Sequence, residues 1–381
     1  MRVVIARSMP GESFSMDVYA NGLVAGLRTV RPEWEFIEVA PYPLDRRDNS
    51  WIAGLRRYYE RFWCYPRVVM NQKADIFHIV DHSYGHLVYW LKQTKAPVVI
   101  TCHDLINFYH PENLYARSRL PLVSMMAWKF SVQGMRLADW IVTDSSHTAR
   151  DVTRLLRVES ERIAVVPIGI DLRFRPLPRK QIESFRQRYS VSLDTVCILH
   201  VGRTDPRKNI LAVLEVVKIL KMQGVSVCLW KVGENFTAEQ RAIIQAYNLE
   251  SNVTYLGKLD LDALVQAYNA ADVLLFPSFY EGFGLPVLEA MACGIPVITS
   301  NVSSLPEVAG DAAILVEPTD VPAMVEAILR LKNDPAYRRK LINKGYARAS
   351  SFTWEAVAKQ IALIYEKVVN KGVGYARSDS S

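Results

Sequence analysis

The stretch from residue 271 to residue 300, ADVLLFPSFYEGFGLPVLEAMACGIPVITS, limits the possible folds more than any other part of the sequence. Its apolar run over 273–276 predicts a short buried parallel strand. Pro286 favours a helix start, and Gly294 with Pro296 predicts the end of that helix before a second strand at 297–299. Short apolar strands alternate with longer helices along the whole chain, which predicts an α/β protein of two doubly wound domains facing each other across a cleft.

The loop between this strand and this helix, Tyr280 to Leu285, is a candidate ligand site. Its two glycines allow a ligand to approach the backbone, and the free N–H groups at the helix start favour an anion. Glu281 lies in the loop and Glu289 about one turn inside the helix, and carboxylates accept hydrogen bonds from adjacent sugar hydroxyls. The alternative is that both carboxylates are solvated and only complement the helix dipole.

The complete string E-G-F-G-L-P-x-L-E-A-M-A-C-G-x-P-V-I closely resembles the signature of the retaining GT-B glycosyltransferases of family 4, also called glycosyltransferase group 1. This resemblance implies that Glu281 lies beside the donor sugar and that Glu289 binds the ribose of the nucleotide. It also implies that the backbone of Phe283, Gly284 and Leu285 contacts the sugar and the diphosphate.

A second string, G-R-T-D-P-R-K-N at 202–209, follows a buried strand predicted over 196–201. Taken alone, Arg203 and Lys208 would be two solvated surface cations. The string is similar to the phosphate-binding pair of the same family. The resemblance therefore implies that Gly202 borders the donor and that Arg203 and Lys208 stabilise the departing diphosphate.

In the N-terminal half, polar residues follow predicted strands at 76–80 and 97–101, where ligands of an open parallel sheet bind. His82 and Ser83 follow the first of these strands, and His103 follows the second. The string T-C-H-D-L is similar to the family's T-x-H-D, which implies that His103 comes close to the donor sugar. His82, Ser83 and Gly11, the one glycine of the loop after the first strand, are weaker candidates on the acceptor side.

The composition is typical of a large soluble enzyme. With 381 residues, half of them hydrophobic, the chain is long enough for two cores. The five cysteines have no metal-type spacing, which predicts reduced thiols and a cytoplasmic protein. The N-terminus leads directly into a strand rather than a signal peptide, and no apolar run is long enough to span a bilayer.

The positive charge lies in the first half of the chain. Residues 1–180 contain 25 Lys and Arg against 18 Asp and Glu, whereas residues 181–381 contain 21 of each. A predicted helix from Trp51 to Trp63 places aromatic side chains on one face and arginines on the other, which suits the interface of an anionic membrane. The alternative is a helix packed on its own domain. No nucleic-acid module accompanies the charge, so nucleic acid is not an expected partner.

The predicted domain order follows from these elements. Residues 1–176 form an acceptor-side Rossmann-like domain, and residues 177–353 form the domain that binds the nucleotide sugar. A last helix over 354–369 joins the first domain, as the family resemblance implies. Residues 372–381 have no pattern and are expected to be a disordered tail.

The expected activity is transfer of a hexose from GDP-mannose or a UDP-hexose to a glycan or lipid-linked acceptor in polysaccharide or glycolipid synthesis, with retention at the anomeric carbon. Cations and helix N–H groups stabilise the leaving diphosphate, so we expect neither a metal nor another cofactor. Two alternatives remain open, which are a nucleotide-sugar epimerase of the same fold and an inactive scaffold. An epimerase would act on the donor alone, and a scaffold would be expected to lack the charged residues, all of which are present.

Overall fold

The computed structural model describes residues 1–11, 14–44, 50–111 and 121–378. The chain divides into two compact units, Met1–Gly169 with Thr353–Ser381, and Ile170–Phe352. The chain passes from the first unit to the second after Gly169, a few residues before the boundary expected at 176. Ile170 and Phe352 are the first and last residues of the second unit, and the N–H of Ile170 donates to the carbonyl of Phe352 at 2.8 Å.

The first unit is a parallel sheet with helices. Its described elements are β1 (Arg2–Ala6), α1 (Phe14–Val30), β2 (Glu35–Val39), α2 (Trp51–Tyr59), α3 (Tyr65–Met70), β3 (Ile76–Ile79), α4 (Leu87–Leu91), β4 (Val98–Cys102), α5 (Pro121–Gly134), β5 (Trp140–Thr143), α6 (Ser146–Leu156) and β6 (Ile163–Val165). The strand order is β2-β1-β3-β4-β5-β6. Strands β1 and β3 to β5 are buried almost throughout, because both faces of a parallel sheet are covered by helices.

The second unit repeats this architecture. Its elements are α7 (Arg179–Arg188), β7 (Val196–Gly202), α8 (Ile210–Met222), β8 (Val227–Gly233), α9 (Ala238–Ala246), β9 (Val253–Gly257), α10 (Leu261–Ala270), β10 (Val273–Phe276), α11 (Leu285–Cys293), β11 (Val297–Ser300), α12 (Leu305–Ala309), β12 (Ile314–Val316), α13 (Val321–Asn333) and α14 (Pro335–Ala349). The strand order is β12-β11-β10-β7-β8-β9, again all parallel. The prediction of two doubly wound parallel α/β domains is therefore confirmed.

The last helix, α15 (Trp354–Ser378), packs against α1 in the first unit. A Cβ atom at Gly22 would lie 2.0 Å from the ring of Trp354, so the close approach of the two helices requires glycine there. Arg31, directly after α1, pairs with Glu366 of α15 at 2.9 Å. The helix continues past its expected end at 369 and through residues 372–378, which the sequence left without structure, and residues 379–381 lie outside the described residues.

The segment predicted as one amphipathic helix from Trp51 to Trp63 is divided into shorter elements. Helix α2 is followed by a π-helical turn at Glu60–Cys64 and then by α3. Its apolar side chains divide between two environments, because Phe62 packs on the ring of His86 at 4.3 Å whereas Trp51 is 68 % exposed. The alternative of a helix packed wholly on its own domain is therefore wrong for its first turns.

The cysteines and the helix lengths bear on two further expectations. All five cysteines are free thiols and four of them are buried, in agreement with the sequence. Within the described ranges, no helix combines the length and the apolar character that crossing a bilayer requires.

Candidate active site

The strand order of the second unit places its candidate site between β7 and β10. The chain leaves β7 towards β8 on one side and returns to β10 on the other, so the loops after these two strands diverge at their carboxyl ends. Ligands of open parallel sheets bind in this crevice. The loop after β7 contains residues 203–208 and the loop after β10 contains residues 277–284, which are the two strings singled out in the sequence.

Glu281 is the centre of the charge network in this crevice. It is only 7 % exposed, and its two carboxylate oxygens accept hydrogen bonds from different cations. Lys208 donates from Nζ to Oε1 at 2.6 Å, and Arg207 donates from Nη1 to Oε2 at 3.1 Å. Arg207 also pairs with Asp205 at 2.9 Å. One buried carboxylate therefore fixes two cations from the neighbouring loop.

The pKa values of these groups follow from burial and pairing. Burial alone would raise the pKa of Glu281, but the nearby charges of Lys208 and Arg207 outweigh it and hold the pKa below its usual value. Burial lowers the pKa of Lys208, with Arg207 acting in the same direction and Glu281 opposing both. The carboxylate therefore stays ionised at neutral pH between its two cations.

Hydrogen bonds from a third loop hold the backbone around Glu281. The N–H of Glu281 donates to Oγ of Ser303 at 3.1 Å. Oγ of Ser304 donates to the carbonyls of Glu281 and Phe283, at 2.9 and 2.8 Å. Asn209 donates from its side chain to the carbonyl of Pro277 at 3.1 Å, which ties the loop after β7 to the loop after β10. These hydrogen bonds fix the backbone of the site in one arrangement, as preorganised electrostatic catalysis requires.

Helix α11 begins directly after this loop. Gly284 is its N-cap residue with φ of +106°, and no side chain caps the helix. A Cβ atom there would lie 2.7 Å from Leu305, so both the backbone angle and the space require glycine. Pro286 has no N–H, and Val287 donates its N–H to the carbonyl of Gly284 at 3.0 Å, so an anion at this helix start would meet the N–H groups that precede the proline. Phe283 is buried and lies in an edge-to-face arrangement with Phe352, with the ring centroids 6.0 Å apart.

Arg203 and Gly202 form the outer part of the loop after β7. The guanidinium of Arg203 lies 3.0 Å from Asp205, and the side chain is 39 % exposed. Gly202 has φ of +138°, a conformation that turns the chain out of the strand and that glycine adopts without strain. Arg203 is therefore the solvent-facing cation of the predicted pair, whereas Lys208 is the buried one.

Glu289 lies within α11 and is held by an aromatic residue that the sequence did not identify. Tyr268 of α10 is fully buried and donates from Oη to Oε2 of Glu289 at 2.6 Å. Burial raises the pKa of Glu289 to about 7, although the hydrogen bond from Tyr268 lowers it and Asp171 raises it. Glu289 therefore changes its ionisation near neutral pH, and its orientation depends on Tyr268.

In the first unit, the strand order places an equivalent switch point between β1 and β3. His82 and Ser83 lie directly after β3, and Asp81 accepts a hydrogen bond from the N–H of Ser83 at 2.8 Å. Gly11 lies in the loop after β1, where its N–H donates to Asp17 at 2.8 Å. Residues 12 and 13 of the same loop lie outside the described residues. The acceptor-side roles of these three residues stay predictions.

His103 lies after β4, and both of its ring nitrogens are engaged. Nδ1 lies 2.6 Å from a carboxylate oxygen of Asp144, and Nε2 lies 2.8 Å from the carbonyl oxygen of Val80. Burial lowers the pKa of the imidazole, but Asp144 and Asp81 outweigh burial and raise it to about 9. At neutral pH the ring is therefore an imidazolium that donates two hydrogen bonds. Such a group suits a fixed positive charge rather than a base.

Sequence reasoning missed Arg207, Ser303, Ser304 and Tyr268. Arg207 stands beside Lys208 in the same string, and the two serines follow β11, so the rule of strand carboxyl ends would have identified them. Tyr268 gave no such signal, because one aromatic residue on an amphipathic helix is typical of any core. In the described part of the chain, no three His, Cys, Asp or Glu side chains are grouped as metal ligands.

The fold and the site define a two-domain GT-B enzyme. The family model for group 1 glycosyl transferases matches residues 181–348, and the model for Glycosyltransferase Family 4 matches residues 5–174. The chain belongs to this glycosyltransferase family and is a glycosyltransferase.

Named relatives and a solved structure agree with this assignment. The O-antigen chain mannosyltransferase B of Escherichia coli is 30 % identical over 75 % of this chain and 74 % of its own length. The MMP alpha-(1->4)-mannosyltransferase of Mycolicibacterium hassiacum is 31 % identical over 84 % of this chain and 78 % of its own. Anabaena Alr3699/HepE, solved in complex with UDP-glucose, has a TM-score of 0.74 at 17 % identity and covers 96 % of this chain with all of its own, a likeness of fold.

Proposed function

We propose that the protein transfers a hexose from a nucleoside diphosphate to a glycan or lipid-linked acceptor, with retention at the anomeric carbon, in polysaccharide or glycolipid synthesis. GDP-mannose is the first candidate donor, because two relatives that are 30 % and 31 % identical over 75 % and 84 % of this chain are named mannosyltransferases. A UDP-hexose is the second, because a protein of the same fold was solved with UDP-glucose.

One observation carries the proposal, namely the cationic crevice between β7 and β10. Arg203, Arg207 and Lys208 lie in the loop after β7, and the uncapped start of α11 follows the loop after β10. A diphosphate that leaves the sugar develops negative charge, and fixed cations and backbone N–H groups stabilise that charge before solvent can reorganise. We propose that these groups support departure of the diphosphate with no metal or other cofactor.

The retention of configuration follows from where the acceptor would attack. Glu281 is ion-paired with two cations, so its carboxylate is neutralised as a nucleophile and serves to orient them. With the leaving diphosphate on the same side as these cations, we propose that the acceptor hydroxyl attacks from that side and that its proton passes to the departing phosphate. Glu289 would then bind the ribose through the carboxylate oxygens that Tyr268 orients.

A thermal-shift screen of nucleotide sugars tests the donor. A ligand present at about a hundred times its Kd stabilises the native state by about 2.7 kcal/mol, which gives a clear rise in Tm. We expect GDP-mannose or a UDP-hexose to raise the Tm, and proton NMR of the product to show the anomeric configuration of the donor. Conversion of the donor to an epimer with no acceptor present would instead support the epimerase alternative.

We also propose that the first unit docks peripherally on the inner, anionic face of a membrane, where lipid-linked acceptors are found. The support is an exposed apolar surface on the two neighbouring helices α2 and α5, whose Tyr58 and Ser124 hydroxyls are hydrogen-bonded at 3.0 Å. We name it the α2/α5 surface, and its exposed side chains are Trp51, Ile52, Leu55, Tyr59, Leu122, Val123, Met126 and Phe130. An apolar face of this kind with basic neighbours binds in the headgroup region of a bilayer.

The basic residues near this surface differ in how exposed they are. Arg56 and Arg67 are exposed, and Arg57 is half-buried. Arg61 instead lies over the ring of Tyr84 at 4.3 Å and donates to the carbonyl of Ser83, so it is engaged inside the domain. The first unit as a whole carries 25 Lys and Arg against 20 Asp and Glu, whereas the second carries 21 against 19.

Vesicle flotation tests this docking. Each basic residue near an anionic bilayer contributes about 1 kcal/mol, so the triple variant Arg56→Gln, Arg57→Gln and Arg67→Gln should lose about two orders of magnitude in binding. Wild type should float with vesicles that contain phosphatidylglycerol and not with pure phosphatidylcholine. The matched control is Leu193→Ser with Met222→Ser, two exposed apolar residues of the second unit, and it should float like wild type. Wild type that stays in solution with both lipids at low salt contradicts the proposal.

A further inference from the structure

Lys231 is a fully buried lysine at the carboxyl end of β8, beneath the candidate donor site. Its Nζ donates to the carbonyl of Gly202 at 2.6 Å and to that of Val232 at 2.9 Å. The register pairs Gly202 with Gly233 at the ends of β7 and β8, so Lys231 spans both strands where the phosphate-binding loop begins. Lysine is almost never fully buried unless it is paired, yet among the described residues Lys231 has no carboxylate ion-pair partner.

The surroundings of Lys231 contain more cations than anions. In the described part of the chain, the charged groups around Lys231 are four cations, counting itself, and three carboxylates, namely Arg203, Arg207, Lys208 and Lys231 against Asp205, Glu234 and Glu281. Tyr255 of β9 donates its hydroxyl to the carbonyl of Gly233. His200, the register partner of Lys231, is neutral, because burial and the two lysines hold its pKa well below its usual value. One positive charge is therefore unmatched when Lys231 is protonated.

We propose that Lys231 is a positioning residue of the donor site: its ammonium group fixes the carbonyl of Gly202, and the diphosphate of the nucleotide sugar supplies the negative charge that this buried ammonium lacks. The inference rests on the proposed function, since it needs a diphosphate in the crevice beside Arg203 and Lys208. Lys231 itself does not touch the ligand. It holds the turn from which the two contacting cations project.

A measurable consequence is that nucleotide binding takes up a proton. Burial and the charge of Lys208 lower the pKa of Lys231 to about 7, while Glu234 and Asp205 oppose them. A bound anion favours the charged form and raises this pKa, so protons are taken up between the free and the bound pKa and not well below the free one. If the shift is about one unit, uptake reaches about half a proton near pH 7.5.

Calorimetry with GDP and UDP in two buffers of different ionisation enthalpy measures this proton number. The terminal phosphate of the nucleotide also titrates near pH 6, so the decisive quantity is the difference between wild type and Lys231→Met. We expect about half a proton less uptake in the variant near pH 7.5 and a Kd about tenfold higher near pH 6, with the gap in Kd closing towards about pH 9. Repeating the pair in a Glu289→Gln background removes the other group of this site with a pKa near 7.

Two controls separate positioning from a merely structural role. Lys231→Met replaces the buried charge by an apolar side chain of similar length, and we expect it to keep a Tm close to that of wild type while losing affinity. Lys258→Met, at an exposed lysine of the same unit, should match wild type in both Kd and proton number. Equal proton uptake in wild type and Lys231→Met, or unchanged affinity near pH 6, overturns the proposal. Absence of binding by both nucleotides would instead contradict the donor assignment on which it rests.

Discussion

Lys208→Ala and Arg203→Ala are each expected to lower kcat at least about a hundredfold, the scale on which loss of one preorganised electrostatic group acts. Lys208 is 6 % exposed and bonded to Glu281 at 2.6 Å, so its charge acts where water does not screen it. Arg203 is 39 % exposed, and its effect should be the smaller of the two. The measurement is steady-state transfer with the donor that the thermal-shift screen identifies.

The fold should survive both changes. In Lys208→Ala, Glu281 keeps its bond to Arg207 at 3.1 Å, so no buried carboxylate is left without a cation. The Tm of each variant, measured beside Lys258→Ala as an exposed control, establishes this. Turnover within a few-fold of wild type in both variants would remove the pair from the mechanism.

The sequence predicted the second unit well because its signals are local. A buried parallel strand is a short apolar run, and a ligand loop must follow its carboxyl end, so the strings at 202–209 and 281–289 fall where the structure has the switch point. Gly284 can be interpreted in the same way, since a glycine directly before a helix start allows a ligand to approach the backbone there.

The missed residues are those whose role depends on three-dimensional neighbours. Lys231 lies in the apolar run C-L-W-K-V-G, where a lysine suggests an edge or a solvent-facing position, and only the pairing of β8 between β7 and β9 shows that it is buried. His103 illustrates the same limit. Its string predicted a site residue, but the bond to Asp144, 41 positions away, is what makes it a fixed imidazolium.

The α2 segment shows that hydrophobic periodicity does not predict whether an apolar helix face is buried or exposed. An apolar stripe at helical spacing predicts which side chains share a face, but not what covers that face. The structure divides the stripe, with Phe62 turned towards His86 and the first turns exposed. The arginines also differ in exposure. Arg61 stacks on Tyr84 inside the domain, whereas Arg67 stacks on Trp63 at 4.1 Å and stays exposed. The structure thereby identifies which of the basic residues a docking experiment should change.

Substitutions of the two glutamates of the signature are expected to have different effects. Glu289→Ala should weaken binding of the bare nucleoside diphosphate about tenfold to a hundredfold, since hydrogen bonds to a charged group contribute about 1.5–3 kcal/mol each. Tyr268→Phe, which removes the bond at 2.6 Å but keeps the ring, should weaken binding in the same direction by less. Calorimetry with the nucleotide alone measures both, because it requires no sugar and no acceptor.

Glu281→Gln should leave nucleotide affinity within a few-fold of wild type and lower kcat at least about a hundredfold, because an amide no longer neutralises Lys208 and Arg207 or fixes their direction. Gln is preferred to Ala, since removing the whole side chain takes the carboxylate away from the buried Lys208 and can cost about 3–5 kcal/mol of stability. Loss of transfer with nucleotide binding and Tm retained assigns Glu281 to the sugar end of the donor. Equal losses of nucleotide affinity in Glu281→Gln and Glu289→Ala would mean that both carboxylates serve the nucleotide and that the division between ribose and sugar is wrong.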